Sequence, residues 1–174
     1  MRVRVFYSWQ ANRPIATNRA FIREVIDTIG LGAAERSLDV EACLERGEGN
    51  GPEREIPASI FARVESVDLV LADVTCAIED ATERRCAPNP NVLLELGYAA
   101  KCHGWDRVVC VANLAHGGVE RLPFDLCHRR ILGFDLPPDA SAERIANERA
   151  RLRRCIRAAF AAIAARMVDE RRAT

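Results

Sequence analysis

The sequence has no net charge, no long apolar run and no pair of cysteines at metal-binding spacing, and each absence narrows what the chain does. Over 174 residues, 25 basic side chains balance 25 acidic ones. Bulk electrostatics therefore favours neither a nucleic-acid backbone nor an anionic membrane surface. No direct nucleic-acid partner is expected. No apolar stretch approaches the ~20 residues that span a bilayer, and "MRVRVFYSW" runs straight into a strand pattern. A soluble, cytoplasmic chain without a membrane partner is expected. Seven cysteines, at positions 43, 76, 86, 102, 110, 127 and 155, form no close C-x-x-C pair. An odd, scattered set argues against a metal site and against a secreted disulfide framework. In settings such as "LVLADVTCAI" and "RVVCVANL" a reduced cysteine acts as a small hydrophobe, so buried, inert thiols are expected. A phosphate-binding glycine loop is also missing. "GEGNG" has neither a suitable strand before it nor a Lys-Ser/Thr after it, which disfavours a P-loop NTPase or a Rossmann dehydrogenase. There is no internal repeat and no linker, so one domain over residues 1–174 is expected. At 49% hydrophobic content it has a full core.

What is present alternates between two periods. "VRVFYS" reads as a strand that stops at the polar loop "WQANRP". From about Thr17 the spacing of Phe21, Ile22, Val25, Ile26 and Ile29 is helical, ending near Gly30 and Gly32. "LDVEACL" is a weaker second strand, and the glycine-rich, charged "ERGEGNGPERE" is a loop. A helix follows from about Pro57, then "VDLVLADVT", a continuous apolar run typical of a central parallel strand. "CAIEDATERRCAPNP" reads as a loop leading into a helix, "RVVCVAN" as a buried strand, and "RRILGFDL" as an edge strand. A last helix, about 141–171, carries an apolar stripe of Ile145, Leu152, Ile156, Phe160, Ile163 and Met167. Its arginine-rich outer face reads as a solvated surface, diluted by Glu143, Glu148, Asp169 and Glu170. Strands alternating with helices predict a doubly wound α/β sandwich with about five parallel strands.

In such sheets ligands bind beyond the carboxyl ends of the strands. The first strand brings Ser8, Trp9, Gln10 and Asn12 to that edge, and the central strand brings Asp73 and Thr75. The helix in "PNPNVLLELGYAAK" adds Asn91 and, one turn on, Glu95. An acid among Leu93, Leu94, Leu96 and Tyr98 is costly unless it meets solvent at an opening or a partner. A carboxylate at a pocket can stabilise or attack the sugar carbon of an N-glycoside, whose cleavage has oxocarbenium character. One carboxylate suffices when the leaving base is already cationic, as nicotinamide is in NAD+. The plain alternative for Glu95 is a surface carboxylate on an exposed face. Asn89 or Asn91 serves as a helix cap, as a ligand contact, or as both. Asp73 is read first as a turn-former bonding backbone amides. Trp9 either stacks a nicotinamide or adenine ring or covers the core beneath its loop. Gly97 fits close packing or close ligand approach beside Tyr98. Arg129 and Arg130 have the forked geometry for a pyrophosphate, although a clasp to Asp125 is the favoured reading. His128 lacks an identified partner, and His103 and His116 are weaker candidates still.

Taken together, "FYSWQ", Asn18 with Arg19, "VDLVLADVT", "PNPNVLLELGYA", "GWDRVVCVAN" and "LPFDLCHRR" resemble the Toll/interleukin receptor (TIR) domain family in its bacterial, nucleotide-binding form. The resemblance spans nearly the whole chain. It implies a flavodoxin-like three-layer sandwich and cleavage of NAD+ at the nicotinamide–ribose bond, with Glu95 as the catalytic residue. It further implies substrate contacts from Ser8, Trp9, Gln10, Asn12, Asp73, Asn91, Tyr98, Arg129 and Arg130, with NAD+ as substrate and neither cofactor nor metal. Many relatives carry an aromatic one turn before the glutamate. This chain has Asn91 there, which leaves Trp9 as the candidate stacking ring. The loop at 45–56 matches the segment through which TIR domains associate. Relatives act in antiviral defence and abortive infection, depleting NAD+ or making a cyclic ADP-ribose signal. They do so when assembled into filaments or complexes, which implies a separate sensor protein or cyclic-nucleotide activator. The "ELGYA"-like helix also resembles that of nucleoside 2-deoxyribosyltransferases, although the usual Asp-Gly before the helix is replaced by "APNPN". A third reading is a non-catalytic nucleotide-binding scaffold.

Overall fold

The computed structural model describes residues 3–29, 38–42, 56–80, 82 and 85–173. Five strands form one sheet: β1 (Val3–Ser8), β2 (Leu38–Ala42), β3 (Leu69–Asp73), β6 (Val108–Asn113) and β7 (Ile131–Phe134). Their order is β2-β1-β3-β6-β7, and every adjacent pair is parallel. The helices are α1 (Arg19–Asp27), α2 (Ile56–Ser66), α3 (Pro90–His103), α4 (Phe124–Cys127) and α5 (Ala142–Ala173). This is the flavodoxin-like arrangement, in which the chain steps from β1 outward to β2 and then crosses back to β3. The predicted loop between β3 and α3 holds a small antiparallel hairpin instead, β4 (Ile78–Asp80) with β5 (Arg85–Ala87). The association loop expected at 45–56 lies outside the described residues apart from its last position.

Strand alternation sorts the core into two layers. Val3, Val5 and Tyr7 of β1, with Leu69, Leu71, Val109, Val111, Leu132 and Phe134, face α1 and α5. Phe6, Val70, Ala72, Cys110 and Ala112 face the other way, toward α2, α3 and α4. β3 is buried at all five positions, as its continuous apolar run requires of a central strand. On α5, Leu152, Ile156, Phe160, Ile163 and Met167 recur every three or four residues and are buried against the sheet. The Phe21 and Phe134 rings stack at 5.2 Å and tie α1 to β7. No helix among the described residues is long and apolar enough to cross a membrane.

The cysteines correct one expectation. Cys76 and Cys86, ten residues apart with Cα atoms 5.6 Å apart, are disulfide-bonded across the foot of the hairpin. The hairpin brings together two sulfurs that their sequence spacing did not associate. Cys110 fits the expected buried thiol, with burial pushing its pKa up to about 12, whereas Cys102 is exposed. Cys43 lies outside the described residues.

Phe160 is fully buried where α5 meets the sheet. Phe160→Ala is expected to destabilise the fold by roughly 3–5 kcal/mol, read as a lower urea midpoint at unchanged slope. A loss below about 1 kcal/mol would mean that α5 contributes little to the core.

Candidate active site

The reversal of strand order falls between β1 and β3, and the functional side chains gather at the carboxyl ends of these two strands. Open α/β sheets leave a crevice at this point because the connections on either side run to opposite faces. Alternation along β1 sends Tyr7 toward α1 and Ser8 toward α3. Ser8 is fully buried and donates from Oγ to Glu95 Oε2 at 2.5 Å, linking positions 87 residues apart. Glu95 is 8% exposed and shares the sheet-facing side of α3 with Val92, Leu96 and Ala99. The acid is therefore not on an outward face, and the plain reading of a surface carboxylate does not hold.

The start of α3 is fixed locally. Asn89 caps it, its side chain accepting from the Asn91 amide at 2.8 Å, and Pro90 supplies the preset first-turn geometry. Asn89 Nδ2 also donates to Asn12 Oδ1 at 2.5 Å, which ties the loop after β1 to the helix that carries Glu95. Asn91 is exposed at the same edge, one turn before Glu95. The far end of α3 stops at Gly104, whose φ of 73° favours a residue without a Cβ. Gly97 needs no such account: it is exposed, and a Cβ there would meet nothing within 4 Å, so close packing does not explain it.

Beneath this edge lies a buried polar network. Asp73 Oδ1 accepts from the Thr75 amide at 3.0 Å and from Thr75 Oγ1 at 2.5 Å. Thr75 Oγ1 in turn accepts from Asn18 Nδ2 at 3.0 Å and from the Asn113 amide at 2.9 Å. Gln10 Nε2 donates to the Thr75 carbonyl at 2.8 Å. Asn113 Nδ2 donates to the Leu136 carbonyl at 2.8 Å, while its Oδ1 accepts from the Leu136 amide at 3.0 Å. The carboxyl ends of β3 and β6, the start of α1 and the exit of β7 are thus joined by hydrogen bonds that leave few donors over. Asp73 is fully buried; burial raises its pKa, and the hydrogen bonds from Thr75, Asn18 and Gln10 oppose that shift.

At the rim, Arg13 donates from Nε to the Cys76 carbonyl at 2.6 Å. Glu79 of β4 takes Arg13 on one oxygen at 3.1 Å and Arg121, from the connection after β6, on the other at 3.2 Å. The bonds from Arg121 and then Arg13 hold the Glu79 carboxyl below the usual range. The nearby His116 is pushed down by burial, and its Nε2 has no hydrogen-bond partner among the described residues.

Several predicted contacts are placed elsewhere. Trp9 packs toward the α1 and α5 layer with the Arg19 guanidinium 3.8 Å over its ring, on the opposite side of the sheet from Glu95. Tyr98 bonds Glu65 through its hydroxyl and stacks on Phe61 of α2 at 4.3 Å, a helix–helix contact. Arg129 and Arg130 immediately precede β7, at the amino-terminal edge of the sheet. Arg129 lies 4.2 Å over Trp105, not in a clasp with Asp125. They are separated from Ser8 and Asn91 by the height of the sheet. His103 bonds the Val64 carbonyl, and His128 packs edge-on to Phe124. Sequence reading passed over Asn113, Arg13, Glu79 and Arg121. Asn113 left one signal, a polar residue closing the apolar run "VVCVAN". The rim arginines left none, because the hairpin that joins them was read as a loop. No family model and no curated protein sequence matches this chain.

Asp73 generates a signed pH prediction. Its folded-state pKa is raised above the ordinary 3.8, so its contribution to stability is full below that value and is lost as pH rises through the raised folded value. The stability of wild type minus that of Asp73→Asn should therefore fall from pH 3 to pH 7 in urea titrations. A difference that grows with pH would mean that Asp73 is better stabilised as an anion when folded than when unfolded.

Proposed function

We propose that the chain is an NAD+ nucleosidase, a glycohydrolase or cyclase that breaks the nicotinamide–ribose bond with Glu95. The observation that carries this reading is the buried Glu95 carboxylate, bonded by Ser8, at the strand-order reversal. The TIR-like motifs named above point the same way. In the proposed reaction the C–N bond breaks with its electron pair leaving on nicotinamide. The base departs neutral, so no general acid is required. Positive charge builds on the ribose, and a carboxylate held in a poorly solvated setting stabilises it strongly. Water then adds to the sugar carbon and loses a proton, giving hydrolysis; attack by the adenine ring of the same molecule gives the cyclic product. Ser8 positions the Glu95 carboxylate through the hydrogen bond it donates. Asn12 and Asn91 are exposed at the same edge and are available to a ligand. Arg13 and Arg121 take over the pyrophosphate role first expected of Arg129 and Arg130, which lie at the other edge. Activity on this reading rises with self-assembly in the cytoplasm, in antiviral defence.

Purified protein incubated with NAD+, with and without a crowding agent, should release nicotinamide. Glu95→Gln, nearly isosteric, should cut that release roughly 10²- to 10³-fold, the scale of losing one preorganised charge-stabilising group. Wild-type turnover in the Glu95→Gln protein would sink the mechanism. Release of free base from deoxynucleosides, with none from NAD+, would favour a deoxyribosyltransferase-like enzyme. Nucleotide binding without turnover would favour a scaffold.

A further inference from the structure

The chain is neutral overall, but its charge is unevenly spread. From Arg149 to Val168, α5 carries six arginines and no acid. Three of the six are accounted for: Arg149 bonds Glu24 at 2.7 Å, Arg151 bonds Glu148 at 2.6 Å, and Arg166 bonds the Asp106 carbonyl at 2.8 Å. The remaining three, Arg153, Arg154 and Arg157, are exposed and make no hydrogen bond or ion pair among the described residues. At 100° per residue they fall within a ~100° arc over little more than one turn, so three like charges crowd one patch. The neighbouring acids of α1 are already engaged, Glu24 by Arg149 and Asp27 by Arg23 at 2.8 Å. Among the described residues these same three arginines line a groove of about 230 Å³ together with Thr28 and Ile29, just beyond the end of α1. A merely solvated helix face alternates its charges, with acids one turn from the bases. This one does not, and it borders a concavity.

We propose that this groove is a binding site for a compact anion bearing two or three phosphates, held by Arg153, Arg154 and Arg157. Guanidinium forks match phosphate oxygens in pairs and keep their charge at any relevant pH. The groove is smaller than the ~300 Å³ at which pockets for drug-sized ligands begin. It accommodates a short phosphate chain and leaves an attached nucleoside outside. It is also separate from the Glu95 site. α1 starts at the Asp73 network and ends beside the groove, and its nine residues span roughly 13 Å. The proposal therefore does not depend on NAD+ cleavage.

The test is calorimetric titration of the full chain with inorganic tripolyphosphate at about 0.1 M salt, where exposed charges are screened over ~10 Å. Wild type should bind saturably, with pyrophosphate weaker and monophosphate weaker again. The triple variant Arg153→Gln, Arg154→Gln, Arg157→Gln should bind at least tenfold more weakly, with an unchanged far-ultraviolet spectrum and urea midpoint. A control variant, Arg144→Gln, whose guanidinium bonds Asp135 at 2.5 Å and lies away from the groove, should bind as wild type does. No saturable binding, equal affinity in the triple variant, or an equal loss in the Arg144 variant would overturn the proposal. So would a duplex DNA that binds the wild-type face more tightly than tripolyphosphate with a steep salt dependence, since that would make the face a nucleic-acid surface.

Discussion

A carboxyl group on the sheet-facing side of a helix is expensive, and the arrangement around Glu95 is organised by that cost. The acid sits among Val92, Leu96 and Ala99, where an apolar side chain would pack at no electrostatic cost. It is held by a serine hydroxyl from the end of β1, a strand that would otherwise close on an apolar residue. A hydrogen bond to a charged acceptor contributes more than a neutral one. Glu95 keeps a small exposed fraction, so the acid stays within reach of solvent at the carboxyl edge of the sheet. That is the physical basis for reading it as a working group rather than a packing residue.

The second acid near this edge behaves differently. Asp73 is completely buried and is met by the Thr75 amide and hydroxyl. Its oxygens are taken up by the fold itself, and the Thr75 hydroxyl passes the connection on to Asn18 and Asn113. Two carboxylates near one sheet edge thus divide into a structural member and a candidate catalytic one. What separates them is burial: Asp73 is closed off inside the polar network, whereas Glu95 keeps a small exposed fraction. The network holds the carboxyl ends of β3 and β6 against the start of α1, so the platform behind Glu95 is rigid without contributing a reactive group.

Periodicity made most of the fold legible before any coordinates. The all-apolar "LVLA" of β3, the α1 spacing of Phe21, Ile22, Val25 and Ile26, and the stripe on α5 each correspond to an observed element. The position of Glu95 was legible too, because an acid inside an apolar helix pattern is conspicuous. The β4–β5 hairpin was not. Its strands are three residues each, too short to show alternation, and β4 is exposed along its length. With the hairpin unseen, neither the Cys76–Cys86 link nor the gathering of Arg13 and Arg121 on Glu79 was visible. Trp9 misled for a different reason. Its position after β1 is near Glu95 in sequence-projected space, but one step of strand alternation moves a side chain to the other face of the sheet. Arg129 and Arg130 misled because a motif gives no sense of which end of a strand it occupies.

Glu79 determines how the rim responds to a substrate's phosphates. Its carboxylate already joins Arg13 and Arg121 with one oxygen each, the bridging geometry that a phosphate would adopt. Both ion pairs are substantially exposed, and pairs of that kind contribute little to stability. Exchanging Glu79 for a phosphate is therefore close to neutral in lost contacts. It replaces one negative charge by a more diffuse and more negative one between the same two guanidinium groups. The arginines, in turn, are kept side by side in the absence of ligand, because without Glu79 their mutual repulsion would drive them apart. On the proposed function, Glu79 acts as a placeholder: it preorganises the cations at the carboxyl edge while Ser8 and the buried face of α3 hold the acid that the chemistry requires.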